Sequence, residues 1–201
     1  LHWWSRRQRQ MCIRDSPELE YICGGEESFG FLAGNHVRDK DAITSALILS
    51  ELCNELKNKN SSFYDRLIEC YINYGFFKEK LITEIAKGKK GAKEIDDKIN
   101  SFRKNPPKLL DNSSVVKIYD YKKSLLTKTK NNNLSQIKLP KSNLLIFESS
   151  DGTRVAVRPS GTEPKIKYYF SVNTKLNSKG DFNFKNDFLN KKINSLIKQF
   201  I

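Results

Sequence analysis

Val155-Ala156-Val157-Arg158-Pro159-Ser160-Gly161-Thr162-Glu163-Pro164-Lys165-Ile166-Lys167-Tyr168-Tyr169-Phe170-Ser171-Val172 is the stretch from which the rest of the chain is read. Val155 to Val157 lead in as a strand. Ile166, Tyr168, Phe170 and Val172 alternate on the way out, which is the period of a half-buried strand. Between them lie two prolines and a glycine, so a loop is held by strands on both sides. Gly161 allows a close approach of backbone to a ligand, and successive N–H groups in such a turn can form an anion-binding nest. Ser160 and Thr162 add hydroxyls, Arg158 can fork two hydrogen bonds onto a phosphate, and Lys167 adds a point charge. These residues suit a small receptor for a dianionic phosphate. Taken alone, they equally describe a Pro/Gly turn with incidental basic neighbours.

Working outward, Asp151-Gly152 is a tight-turn signal that joins a strand over Asn143–Glu148 to Thr153–Val157 as a hairpin. A further strand is expected over Val115–Tyr121, and Lys128–Asn133 reads as a polar surface loop. The last amphipathic helix carries Leu189, Ile193, Leu196, Ile197 and Phe200, fit to cover one face of a sheet. Upstream of Pro106-Pro107 the period is helical. One helix has Ala92, Ile95, Ile99 and Phe102; another has Tyr64, Leu67, Ile68 and Tyr71, with Gly75 as its stop. A third opens near Val37–Asp41, with Asp39 or Asp41 as N-cap. Its apolar residues, from Ile43 through Leu47, Ile48, Leu49 and Leu52 to Leu56, go round more than one side and predict burial on more than one side. The two prolines, which cannot continue a helix, mark the expected domain boundary.

The bulk composition bounds the class. A chain of 201 residues with 38% hydrophobic and 11% aromatic content has room for one to two globular domains. It lacks a run of about 18 apolar residues, so no membrane span is expected. Its four cysteines show no C-x-x-C spacing and only two His accompany them. Buried, reduced thiols in a cytoplasmic protein are therefore expected rather than a zinc site. The net charge of +13 raises nucleic acid as a partner. However, the excess is dispersed, mostly as Lys, and no helix-turn-helix, RNP or zinc-finger pattern supports it. Leu1–Ser16 contains two adjacent Trp and four Arg, unlike the Lys-rich remainder. It reads as a non-native leader (a membrane-surface or RNA-binding arm is the alternative) and is left out of fold reasoning.

A second loop, Gly25-Glu26-Glu27-Ser28-Phe29-Gly30, sets carboxylates and a hydroxyl between glycines, a set that suits the vicinal hydroxyls of a sugar. Alone it is weak. In order with Val37-Arg38-Asp39-Lys40-Asp41-Ala42 and Arg158-Pro159-Ser160-Gly161-Thr162-Glu163-Pro164-Lys165-Ile166-Lys167 it is not. From about Pro17 onward the chain resembles the C-terminal half of an α-D-phosphohexomutase of the bacterial phosphoglucomutase/phosphomannomutase type. Tyr74-Gly75-Phe76-Phe77, Arg103-Lys104-Asn105-Pro106-Pro107-Lys108 and Leu139-Pro140-Lys141-Ser142-Asn143 resemble that family too.

The resemblance implies part of a mixed α/β third domain over 17–105. It further implies an α+β fourth domain over 106–201, a small antiparallel sheet covered by helices and similar to the TATA-box-binding protein. It implies a phospho-sugar mutase that moves phosphate between O1 and O6 of a hexose through a phosphoserine and a hexose 1,6-bisphosphate, with Mg²⁺ as Lewis acid. Glu26 and Ser28 would grip the sugar. Arg158, Ser160, Gly161, Thr162 and Lys167 would hold the phosphate that is not reacting. Arg38 and Lys40 would lie near the cleft, Lys40 touching the transferring phosphate or aiding proton transfer, or else forming a helix-start salt bridge with Asp39 or Asp41. His36 is as readily structural as catalytic.

The chain departs from the family in having no T-x-S-H-N nucleophile loop and no D-x-D-x-D metal loop. No metal ligands are therefore expected in it, and the expected partner is a small phosphosugar bound without turnover. A non-catalytic phosphosugar-binding module is the alternative. The choice among glucose, mannose and pentose phosphates stays open, as does oligomeric state.

Overall fold

The computed structural model describes residues 21–25, 30–34, 37, 39–86, 91–161 and 163–201. It divides into two compact units, Leu1–Leu67 and Ile68–Ile201. The stretch read as a leader lies outside the described residues.

In the first unit, β1 (Cys23–Gly25) pairs antiparallel with β2 (Phe31–Ala33), Gly25 opposite Phe31. Helix α1 (Ala42–Asn58) follows. Of the two candidate caps Asp41 is the one used: its Oδ1 accepts the N–H groups of Ile43 at 3.0 Å and Thr44 at 3.3 Å. Asp39 instead accepts the Lys40 N–H at 2.8 Å. The expectation that α1 is buried on more than one side is not met. Leu56 is buried, whereas Ile43 is 84% and Leu47 60% exposed. Among the described residues only its Leu56 side is well covered. Cys53, on this helix, is exposed for the same reason; Cys23 is exposed and Cys70 half-buried, all three as thiols. The expectation of buried thiols is corrected accordingly. Helix α2 (Phe63–Tyr74), which the division crosses between Leu67 and Ile68, starts with a reciprocal cap, Ser62 N–H to Asp65 and Asp65 N–H to Ser62 Oγ, both at 3.1 Å.

Gly75, with φ of +98°, stops α2 and turns the chain into the second unit's sheet. A Cβ there would stand 3.0 Å from the Phe77 ring, so both conformation and space require glycine. The elements are β3 (Phe76–Ile85), α3 (Gly91–Lys104), β4 (Leu109–Leu110), β5 (Ser113–Asp120), β6 (Leu125–Lys128), β7 (Asn133–Gln136), β8 (Leu145–Ser149), β9 (Arg154–Pro159), β10 (Lys165–Thr174) and α4 (Phe182–Phe200). The strands run in the order β3-β10-β9-β8-β5-β6-β7, with β4 paired to β5, all neighbours antiparallel. Antiparallel sheets commonly bury one face only. Here Phe147, Val155, Val157, Ile166, Tyr168, Phe170 and Val172 form the buried face, against Ile95 and Ile99 of α3 and Leu189, Ile193 and Leu196 of α4. Phe200 fills the middle, its ring 5.3 Å from Phe102, 6.0 Å from Phe147 and 6.1 Å from Phe170.

The division between units falls at Leu67/Ile68 rather than at Pro106-Pro107. The reason is β3, which lies alongside β10 over its whole length, from Ile85 opposite Lys165 to Phe76 opposite Thr174. Helix α3 buries Ile95 and Ile99 in the same core. The prolines only carry the chain from α3 to β4. The polar loop at Lys128–Asn133 is the turn of the β6–β7 hairpin, where Asn132 takes a φ of +48°.

The Asp151-Gly152 turn joins β8 to β9 as expected, with Gly152 at φ +80°. Asp151 also locks this turn to α4. It accepts from Ser113 Oγ at 2.6 Å, Ser149 Oγ at 2.6 Å and the Thr153 N–H at 3.0 Å, and it pairs with buried Lys192. Burial pushes its carboxyl up, but the Lys192 and serine hydrogen bonds outweigh this and hold it far below the usual carboxylate range. A depressed carboxylate stabilises the fold above its unfolded pKa of about 4, and this contribution is lost as pH falls toward the folded value. Asp151→Asn is expected to cost about 2–3 kcal/mol at neutral pH. It should also flatten the loss of urea stability measured below pH 4.

Candidate phosphate-binding turn

The phosphate-loop residues come from the β9–β10 hairpin. Arg158 stands directly opposite Lys167 in register, and Pro159 opposite Ile166. Because Val157 and Ile166 point into the core, Arg158 and Lys167 share the face away from the helices. Arg158 is exposed and Lys167 half-buried. Their adjacency follows from the hairpin register and puts two cations side by side on rigid backbone.

Among the described residues, three backbone bonds hold the turn. Ser160 N–H donates to the Lys165 carbonyl at 2.8 Å, Lys165 N–H to the Glu163 carbonyl at 2.7 Å, and Ala86 N–H to the Pro164 carbonyl at 2.9 Å. The side chains of Glu163 and Lys165 form an ion pair, whose hydrogen bond holds the exposed Glu163 carboxyl below its usual range. The Ser160 N–H is thus committed to closing the hairpin. That commitment narrows the expectation of a backbone nest. Gly161 is exposed, and a Cβ there would meet nothing within 4 Å. Its φ is not left-handed either. Neither packing nor conformation demands glycine at this position. Gly161→Ala is expected to leave the urea midpoint unchanged and to weaken phosphate binding several-fold. The pair of readouts separates a ligand-facing glycine from a structural one.

Thr162 lies outside the described residues, as do Glu26, Ser28, Arg38 and His36. For the sugar loop the structure gives the base, the Gly25–Phe31 pair. Lys40 is exposed just ahead of α1. Asp41, one of its two possible salt-bridge partners, has its carboxylate engaged in capping.

Sequence reading missed what accompanies Arg158 on its face. Two and four residues back along β9 come Ala156 and Arg154. Arg154 is paired with Glu148 at 2.7 Å, and Lys117 reaches the same carboxylate at 2.6 Å. Burial pushes Glu148 up, but Lys117 and Arg154 outweigh it and hold it ionised below the usual range. The alternation along β9 was the available signal. Arg103 of α3 forms a second buried network, 3.4 Å from Asp120 and also donating to Asn143. It thereby joins two of the sequence pieces quoted above, one around Pro106-Pro107 and one around Pro140.

A groove of about 400 Å³ lies between 104–108 and β5, floored by Pro106, Pro107, Val115 and Ile118. It includes none of the expected site residues. Among the described residues no group of three or more His, Cys, Asp or Glu could hold a metal ion, and no helix is long and apolar enough to cross a membrane.

Two family models match. Residues 12–71 match phosphoglucomutase/phosphomannomutase, alpha/beta/alpha domain III, a match that begins inside the stretch read as a leader. Residues 99–175 match the phosphoglucomutase/phosphomannomutase C-terminal domain. The chain belongs to the phosphoglucomutase/phosphomannomutase family.

Among curated relatives of this mutase family, the chain is 39% identical over 157 residues to the phosphoglucomutase of Staphylococcus epidermidis RP62A, covering 78% of this chain and 29% of that one. It is 32% identical over 162 residues to that of Staphylococcus haemolyticus, covering 80% and 29%. With that of Staphylococcus aureus MRSA252 it shares 37% over 147 residues, covering 73% and 26%. The chain thus spans under a third of the length of these relatives. The crystal structure of pp63/parafusin, a phosphoglucomutase from Paramecium in an open form, superposes with a TM-score of 0.51. It is 22% identical and covers 89% of this chain and 30% of that one, a likeness of fold. The expected fold, an α/β third-domain part followed by an antiparallel α+β domain, agrees with both matches.

Proposed function

We propose that this chain carries the sugar-binding and phosphate-binding portion of a phosphohexomutase that interconverts hexose 1-phosphate and hexose 6-phosphate, with glucose as the first hexose to test. The observation that carries the reading is the cross-strand pair Arg158–Lys167 beside the Ser160–Gly161 turn. Arg158 forks two N–H donors onto phosphate oxygens, Lys167 neutralises the second charge, and Ser160 and Thr162 supply hydroxyls. Glu26 and Ser28 accept from and donate to the sugar hydroxyls. Arg38 and Lys40 lie toward the reacting phosphate. In this reading a phosphoserine elsewhere in the complete enzyme exchanges phosphate with the sugar by way of hexose 1,6-bisphosphate. Holding the non-reacting phosphate fixes the sugar for attack, a positioning role. In this reading Mg²⁺ belongs to the complete enzyme, where it acts as Lewis acid on the transferring phosphate.

The test compares glucose 1-phosphate, glucose and inorganic phosphate by calorimetric titration, together with a mutase assay. Binding of the phosphosugar over either fragment of it, with no conversion by the purified chain, is the expected result. Equal affinity for any polyanion, lost steeply with salt, would favour a generic basic surface instead. Substantial conversion of glucose 1-phosphate would contradict the reading.

A further inference from the structure

Strand β3 ends the sheet on one side, and its outer edge pairs with no strand among the described residues. It is ten residues long, and on the face away from the helices it shows Phe77 at 54%, Leu81 at 41% and Ile85 at 67% exposure. Those three are spaced symmetrically about Leu81. A long edge with exposed apolar side chains is a template for another strand. Natural edges are usually blunted by charge, a bulge or a covering loop. On this face only Glu79 carries charge.

We propose that β3 pairs antiparallel with β3 of a second copy of this chain, about a twofold axis through Leu81, joining the two sheets edge to edge. A twofold normal to the sheet keeps buried faces with buried faces, so only registers that place like parity together are allowed. Centred on Leu81, the register sets Leu81 against itself, Phe77 against Ile85 of the second copy and Glu79 against Thr83. On the other face it sets Lys78 against Glu84, twice, and Lys80 against Ile82; Glu84 is already paired with Lys98 at 2.7 Å and Lys78 donates to Asn186 at 2.5 Å, so the apolar face carries the match. Other registers are worse. Centring on Glu79 or Lys80 opposes identical charges. Centring on Ile82 forms Lys80–Glu84 pairs but puts Ile85 against Glu79 and leaves Phe77 unmatched. Centring on Thr83 forms no ion pair and shortens the ladder. Cross-strand apolar pairs and the absence of opposed like charges select the Leu81 register.

The match also extends a feature of the sheet. Leu81, Tyr169, Ala156, Ile146, Tyr119 and Leu126 stand in register across six strands. Pairing at Leu81 joins this row to its counterpart.

Sedimentation velocity of the full chain over a concentration series tests the proposal, with circular dichroism to confirm folding. The wild type is expected to form a dimer. Leu81→Lys, at an exposed position that leaves the core untouched, is expected to abolish it, because two lysines would face each other across the axis. In a chain whose native cysteines are replaced by serine, Leu81→Cys is expected to form a covalent dimer on oxidation and Thr83→Cys is not. A wild type that stays monomeric throughout overturns the proposal. So does a dimer that survives Leu81→Lys, which would put the interface elsewhere, or Thr83→Cys crosslinking as readily as Leu81→Cys.

Discussion

Arg158→Ala is expected to weaken binding of glucose 1,6-bisphosphate by roughly ten- to a hundredfold, the loss of a charge-assisted hydrogen-bond pair worth about 1.5–3 kcal/mol. The same change should leave stability within about 0.5 kcal/mol of wild type, since the side chain is exposed and the hairpin is held by its neighbours. Arg158→Lys keeps the charge but loses the planar fork, and should fall between the two. Calorimetric titration beside urea unfolding separates the effects. A uniform loss across unrelated anions would make Arg158 a generic surface cation.

Arg103→Ala is the substitution with the largest expected effect on stability, about 3–5 kcal/mol. Arg103 is 6% exposed and Asp120 12%, so the pair is desolvated. Removing the guanidinium leaves the Asp120 carboxylate inside with, among the described residues, the Lys122 and Lys123 N–H groups at 3.0 and 3.3 Å. It also strips Asn143 of its donor. Arg103→Lys should rescue little, because one ammonium cannot reach Asp120, Asn143 and Asn100 in the directions the guanidinium does. The check is the urea midpoint of each variant, with Asp120→Asn alongside. If the network holds the fold, Asp120→Asn should also be destabilised, and the double variant should lose less than the sum of the two.

The parts of this fold that were legible in the sequence are those where one physical constraint dominates. Period-2 alternation in Ile166–Val172 gave β10, and the Asp-Gly turn gave the β8–β9 hairpin. Gly75 gave the C-terminal end of α2. Arg158 and Lys167 were legible as separate cations, whereas their position directly opposite each other comes from the hairpin register. Strand β3 was passed over because Lys78, Glu79, Lys80 and Glu84 at an edge break the alternation that a central strand keeps. That omission, in turn, shifted the apparent domain boundary to the prolines. Strand β7 is exposed throughout and has no buried face to betray it. The Arg103–Asn143 bridge joins residues 40 apart, and no local pattern announces such a pair. Helix α1 misled in the other direction, since its all-round apolar character predicts cover that the described residues do not supply.

The central claim is that a phosphosugar is held at the β9–β10 turn, and the most direct test is amide chemical-shift mapping by NMR during titration with glucose 1,6-bisphosphate. Saturable shifts concentrated at Arg158, Ser160, Gly161 and Lys167 are expected. Those shifts should be absent in Arg158→Ala. Shifts centred on the groove at Lys104–Lys108, or spread evenly over the lysines of the chain, would contradict it.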